Sequence, residues 1–255
     1  MSEALVLPTR RDEDWRYADA AFLAASDPAT LMQWSEWTIA PGETRRDYRV
    51  LASGALAGGT VERLRVHVGA GGRFELGLVN AAGRYARFEA EVTLAEGAHF
   101  EFGGVTIGGG DNVQEVVTRV LHAEPGATSN QIVRAVQWGR ATGNFLGRIE
   151  VARDAQQTDA GQNFKAILLE AGASANTKPE LEIFADDVKC AHGAAIGALD
   201  ETAGFYLASR GLPPAEARKL LIRAFIADAF AAITDEEARL RLLDEALAVL
   251  DGEAP

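Results

Sequence analysis

The chain has 255 residues, 47% of them hydrophobic and 24% charged, an ordinary globular balance with enough length for a sizeable core. A formal net charge of −12 argues against a nucleic-acid groove, because phosphate binding needs clustered Lys and Arg. The single cysteine, Cys190, excludes an internal disulfide and is too little for a conventional cluster held by about four thiolates of one chain.

Met1 to Leu7 is followed at once by Arg10, Arg11 and Asp12, which does not resemble a signal peptide, and no apolar run approaches about 18 residues. A cytoplasmic protein is expected. Residues 1–48 read as an N-terminal arm. Leu7 to Tyr17 is polar with two aromatics, and Ala20 to Ala25 reads as a short helix ending before Asp27-Pro28. Trp34 and Trp37 are expected in a loop closed by Pro41-Gly42. Rings this dense in a short arm bury a large area, so docking onto the chain's own core is expected.

Residues 49–193 read as a β core. Alternating apolar positions recur, as in Phe74, Leu76 and Leu78, in Phe100 and Phe102, and in Phe145, Ile149 and Val151. Gly-rich breaks separate them, among them Gly69 to Gly72, Gly108 to Asp111 and Pro125 to Ala127. Short strands between turn signals predict an all-β architecture. The turn phrase Ala95 to Ala98 resembles Ala123 to Ala127, with Val151 to Ala155 in the corresponding place; Gly97 to Gly126 is 29 residues and Gly126 to Asp154 is 28. A repeat of this length predicts stacked coils, and the strand region lacks the Asn-Gly or Asp-Gly turns of a meander. The expected fold is mainly β, a parallel β-helix.

Near the end of that core, Lys178 to Gly193 carries the chemistry. Leu181 and Ile183 fall on one face of a strand, with Glu182 and Phe184 on the other. If the extended conformation continues, Cys190 and His192 point the same way. A thiolate and an imidazole side by side can share iron or zinc, and can equally be a nucleophile and its base. A lone cysteine is also commonly a small buried hydrophobe.

Residues 194–255 read as a helical domain. Asp200 is a plausible cap for a helix through Phe205, Tyr206 and Leu207, stopped by Gly211. Pro213-Pro214 opens a second helix, with apolar positions at Leu220, Ala224, Phe225 and Phe230. Thr234 with Glu237 has the capping-box spacing for a third, where Leu240, Leu243, Leu247 and Leu250 recur on one face. Packing on the β core is the default for these stripes, and a helical pair can also present an apolar face to a partner.

The string from Lys178 to Glu201, K-P-E-L-E-I-F-A-D-D-V-K-C-A-H-G-A-A-I-G-A-L-D-E, closely resembles the signature of the SufB/SufD family of iron–sulfur cluster assembly proteins. Phe205 to Leu212, Asn144 to Ile149 and Ala155 to Ala160 resemble further family phrases. Pro8 to Tyr17 looks like the opening of the SufD branch. The resemblance implies a right-handed parallel β-helix with a C-terminal helical domain and a non-catalytic scaffold subunit. It implies pairing with a SufB-like chain through the β-helix. It also implies docking of a SufC-like ABC ATPase on the C-terminal helices, with Leu220, Ala224, Phe225 and Phe230 as candidate contacts, and sulfur from a cysteine desulfurase. Cys190 and His192 would share a nascent iron–sulfur cluster or iron with the partner, and a reduced flavin has been associated with such complexes. The chain is shorter than many SufD proteins, and Ala191 stands where the family commonly has serine. No Gly-x-x-x-x-Gly-Lys-Ser/Thr loop is present, so ATP chemistry would lie on another chain.

Three rival readings stand beside this one. Cys190 and His192 as a catalytic pair are poorly placed, since such residues are normally distant in sequence. Asp186 and Asp187 as a sugar-cleaving pair would face opposite sides of a strand, and are expected instead at a turn. A purely structural partner that never touches iron is the third. His67, His99 and His122 show no ligand spacing.

Overall fold

The computed structural model describes residues 7–52 and 58–253. Twelve strands run among these residues: β1 Ser35–Ile39, β2 Thr44–Ala52, β3 Thr60–Val68, β4 Arg73–Ala81, β5 Tyr85–Leu94 and β6 His99–Gly108, then β7 Val113–His122, β8 Thr128–Gln137, β9 Thr142–Val151, β10 Asp159–Leu168, β11 Ser174–Ile183 and β12 Lys189–Gly197. The odd-numbered strands form one sheet in the order β1-β3-β5-β7-β9-β11, and the even-numbered strands form the other from β2 to β12. The pairings between these strands are parallel, so each turn lays one strand on each sheet. This is the β-solenoid that the repeats predict. It begins earlier than residue 49: Trp37 lies within β1, not in a loop, because its ring packs edge-on against Phe74.

Register turns each inward position into a row. Phe74, Phe100, Ser129, Ala160 and Cys190 form one row, and Leu76, Phe102, Gln131, Gln162 and His192 the next. Rings stack along and across the lumen, Phe74 on Phe100 at 5.5 Å and Phe145 on Phe164 at 5.7 Å. Each such buried ring stabilises by about 2 kcal/mol or more.

The turns stack as well. Gly42, Gly71, Gly97 and Gly126 all have positive φ, and each amide donates to a carbonyl of the following turn, Gly97 to Pro125 at 3.0 Å and Gly126 to Gln156 at 2.9 Å. The fifth member of the column is Gln157, φ 61°, donating to Asp187, so the repeat continues at Gln157 and not at Asp154.

The first turn is sealed. Arg45 lies 3.7 Å from the Trp37 ring centroid, and Arg49 bridges Asp47 and Glu62 at 2.6 and 3.0 Å. The N-terminal arm, a 3-10 turn at Glu13–Trp15 with helices α1 Ala20–Ala25 and α2 Pro28–Leu31, covers the outer face of the odd-numbered sheet. Beneath it lies a buried ion network, in which Arg87 pairs with Glu89 and Glu115, and Arg119 reaches Glu89 and Asp14. Burial alone would push the Glu89 carboxyl up, but Arg87, Arg63 and Arg119 hold it down at about 2.

Three helices, α3 Glu201–Ser209, α4 Pro214–Ala229 and α5 Glu236–Glu253, follow the solenoid, and α4 and α5 pack on the outer face of the even-numbered sheet. Asp200 caps α3 as expected, accepting from the Thr202 and Ala203 amides. Glycine lets α4 approach: a Cβ on Gly103 would sit 2.3 Å from the Ala229 carbonyl oxygen. The capping box at Thr234 does not form. Asp235 caps α5 through the Ala238 amide, and Thr234 turns its amide and hydroxyl to Glu75 instead, at 3.1 and 2.8 Å. In α5 the buried positions are Ala238, Leu242, Leu243, Ala246 and Leu250, whereas Leu240 faces out. No helix among the described residues is long and apolar enough to cross a membrane.

Candidate functional site

Cys190 and His192 lie on β12, the last strand of the even-numbered sheet, paired on one side only, with β10. Their register partners, Ala160 and Gln162, alternate with exposed Asp159 and half-buried Gly161 and Asn163, and so face the lumen. Cys190 and His192 therefore share the inward face of the final turn, as period-two alternation predicts. Because no later turn follows among the described residues, this inward face opens to solvent. His192 is exposed, while Cys190 is half-buried against the cluster of Ile149, Val151, Ala155, Ala160 and Ala185.

Burial pushes the Cys190 thiol above its ordinary range, and the Asp159 carboxylate adds to this. A thiol held protonated is a poor nucleophile, which weighs against the catalytic-pair reading. Among the described residues no three His, Cys, Asp or Glu side chains converge on one point. The site thus offers one soft and one borderline ligand, too few to complete a metal shell alone.

The same turn leaves large apolar side chains uncovered. Phe184 is 59% exposed, Ile196 45% and Ile183 40%. Both terminal strands, β11 and β12, carry a free edge, and long exposed edges template pairing with another chain. Asp186 and Asp187 sit at the bend between them, where the Asp187 amide donates to Gln156 Oε1 and its carbonyl accepts from the Gln157 amide. They form a turn, as expected. Of the other histidines, His122 is buried and held neutral, its pKa lowered to about 4 by burial, and His99 is bonded to Thr128 and Glu101.

The four candidate helix contacts separate. Leu220 and Ala224 are exposed on α4, and Phe225 is half-buried with Arg134 over its ring. Phe230 is fully buried among Val105, Ile226 and Ile233, so it holds the helices to the sheet and offers no outward surface. Phe205 and Tyr206 on α3, 76% and 56% exposed, are the larger uncovered rings. The placement of α3 decides which of its faces is free, and spacing alone does not give it.

Fold and site together define a two-sheeted parallel β-helix protein with an appended helical unit and a thiol–imidazole pair on the inner face of an uncapped last turn. Residues 54–225, more than half of the chain, match the family model for the SufBD core domain of the SUF iron–sulfur cluster assembly system. The chain belongs to the SufBD family. It is 38% identical over 154 residues to an iron–sulfur cluster assembly SufBD family protein of Synechocystis, a match covering 60% of this chain and 34% of the relative. To the iron–sulfur cluster assembly protein SufD of Escherichia coli it is 35% identical over 133 residues, 52% of this chain and 31% of that protein. Protein ABCI7 of Arabidopsis thaliana, a chloroplastic protein, is 38% identical over 125 residues, 48% and 26% of the two chains. The matched stretch thus spans only 26% to 34% of the length of these relatives.

Proposed function

We propose that the chain is a non-catalytic, SufD-type scaffold subunit. It pairs with a SufB-like chain through the open end of its β-helix, and contributes Cys190 and His192 to a nascent iron–sulfur cluster completed by the partner's thiolates. The cluster is cargo, assembled and passed on. The observation that carries this reading is the uncapped last turn: two ligand side chains on one inward face of a turn that also exposes Ile183, Phe184 and Ile196, on strands with free edges. A half-complete ligand set suits a site that opens when one partner moves.

The helical unit is the surface proposed for a SufC-like ATPase, through exposed Leu220 and Ala224 together with Phe205 and Tyr206. A mild anaerobic pull-down from the native host tests the partners. A longer, cysteine-richer relative and a Walker-motif ATPase in stable stoichiometry support the reading, whereas recovery of the chain alone counts against it. His192→Ala tests the ligand role in cells: loss of cluster assembly with the complex intact is expected. Unimpaired assembly would instead make the chain a structural partner that leaves iron to others.

A further inference from the structure

The lumen changes character along its length. Its early turns are lined by Phe74, Leu76, Phe88, Phe100 and Phe102, all fully buried. In later turns the row of Leu76 and Phe102 carries Gln131 and Gln162 before reaching His192 at the open end. On the other sheet the row of Leu64 and Ala90 carries Thr118 and Gly147, while the Phe88 row stays apolar through Val116 and Phe145. Gln162 crosses the lumen: its Nε2 donates to the carbonyls of Gly147 at 3.2 Å and Glu180 at 3.4 Å. Glycine at 147 makes this possible, since a Cβ there would lie 2.1 Å from Gln162 Oε1.

Gln131 precedes Gln162 by one turn, and Thr118 precedes Gly147 by one turn, so register sets Gln131 and Thr118 in the same cross-lumen relation. Yet Oε1 and Nε2 of Gln131, Oγ1 of Thr118 and Oε1 of Gln162 are all buried without a protein hydrogen-bond partner. Each such atom left bare costs about 1–3 kcal/mol, and four of them together would consume much of a domain's net stability. Native proteins leave few buried polar groups unpaired. These atoms come from neighbouring turns, about 4.8 Å apart, and include both donors and acceptors. A buried water needs two to four such partners, and a polar lumen, unlike an apolar one, retains it.

We propose that this part of the lumen is an internal hydration site, water held between Gln131, Thr118 and Gln162, beginning one turn inside His192. The polar row that ends at His192 then continues inward beside the stacked Phe145 and Phe164 rings.

Thr118→Val and Gln131→Met keep shape while removing the hydrogen-bonding atoms. A high-resolution crystal structure of the whole chain is expected to show ordered density within hydrogen-bonding distance of at least two of the three side chains. Each variant is expected to lower the unfolding temperature, and the double variant to lower it by less than the sum, because the shared water is lost once. A dry lumen in the crystal would overturn the proposal, with Gln131 and Thr118 bonded to each other or to backbone. So would variants as stable as the parent, or strictly additive losses. The density of the unaltered chain decides the matter even where a variant fails to fold.

Discussion

Arg134 of β8 and Asp228 of α4 clasp the helical unit to the solenoid, with Nε at 2.9 Å and Nη2 at 2.5 Å from one carboxylate oxygen. Arg134 is almost wholly buried and also donates to the Val133 and Asn163 carbonyls, whereas Asp228 is half exposed. Asp228→Asn would leave a guanidinium buried without its counter-charge. Exposure of the carboxylate tempers the loss, which is expected to be about 1–2 kcal/mol. Hydrogen exchange should quicken along α4 and stay unchanged in the central strands; equal loss of protection in both would show that Arg134 supports the solenoid itself.

Glu75 makes the second clasp. Burial alone would raise its pKa, but hydrogen bonds from Tyr48 and Thr234, with Arg73 nearby, outweigh it and leave the carboxyl below its ordinary range. Thr234→Val keeps the shape and removes one charge-assisted hydrogen bond, at a cost of about 2 kcal/mol. Chemical denaturation should register this loss, and protection at the start of α5 should fall first.

Acid should destabilise the chain in two stages. His122 binds a proton near 6.5 when unfolded but only at about 4 when folded, so stability is lost as pH falls below 6.5. Glu89 follows the same sign lower down: its folded pKa of about 2 lies below the ordinary 4.5, and its contribution disappears as pH falls from 4.5 toward 2. Each stage is worth about 3 kcal/mol when complete. Urea titrations across pH should show both limbs, and His122→Gln should remove the upper one alone.

Gln157 is the one non-glycine residue with positive φ among those described. Gln157→Gly relieves the side-chain clash of that conformation, although glycine adds freedom to the unfolded chain, and a net gain of up to about 1 kcal/mol is expected. Gly97→Ala tests the same column in reverse. A Cβ there meets nothing within 4 Å, so any loss, about 1–2 kcal/mol, is backbone strain alone. An unchanged unfolding temperature for Gly97→Ala would contradict this account of the turn column.

What the sequence by itself determined is local. Alternation at Phe74, Leu76, Phe100 and Phe102, punctuated by left-handed glycines, specifies strands and turns, because side-chain period and allowed φ are properties of the backbone within a few residues. The same period puts Cys190 and His192 on a common face. Only the tertiary structure decided that this face is the lumen, since that depends on registry with Ala160 and Gln162 one turn away. It also decided that Trp37 joins the first turn, that Phe230 is buried, and that Thr234 abandons its capping box for Glu75, 159 residues distant. Contacts at such separation are set by how turns stack and where helices land, and a competing long-range partner such as a buried carboxylate outweighs a local cap.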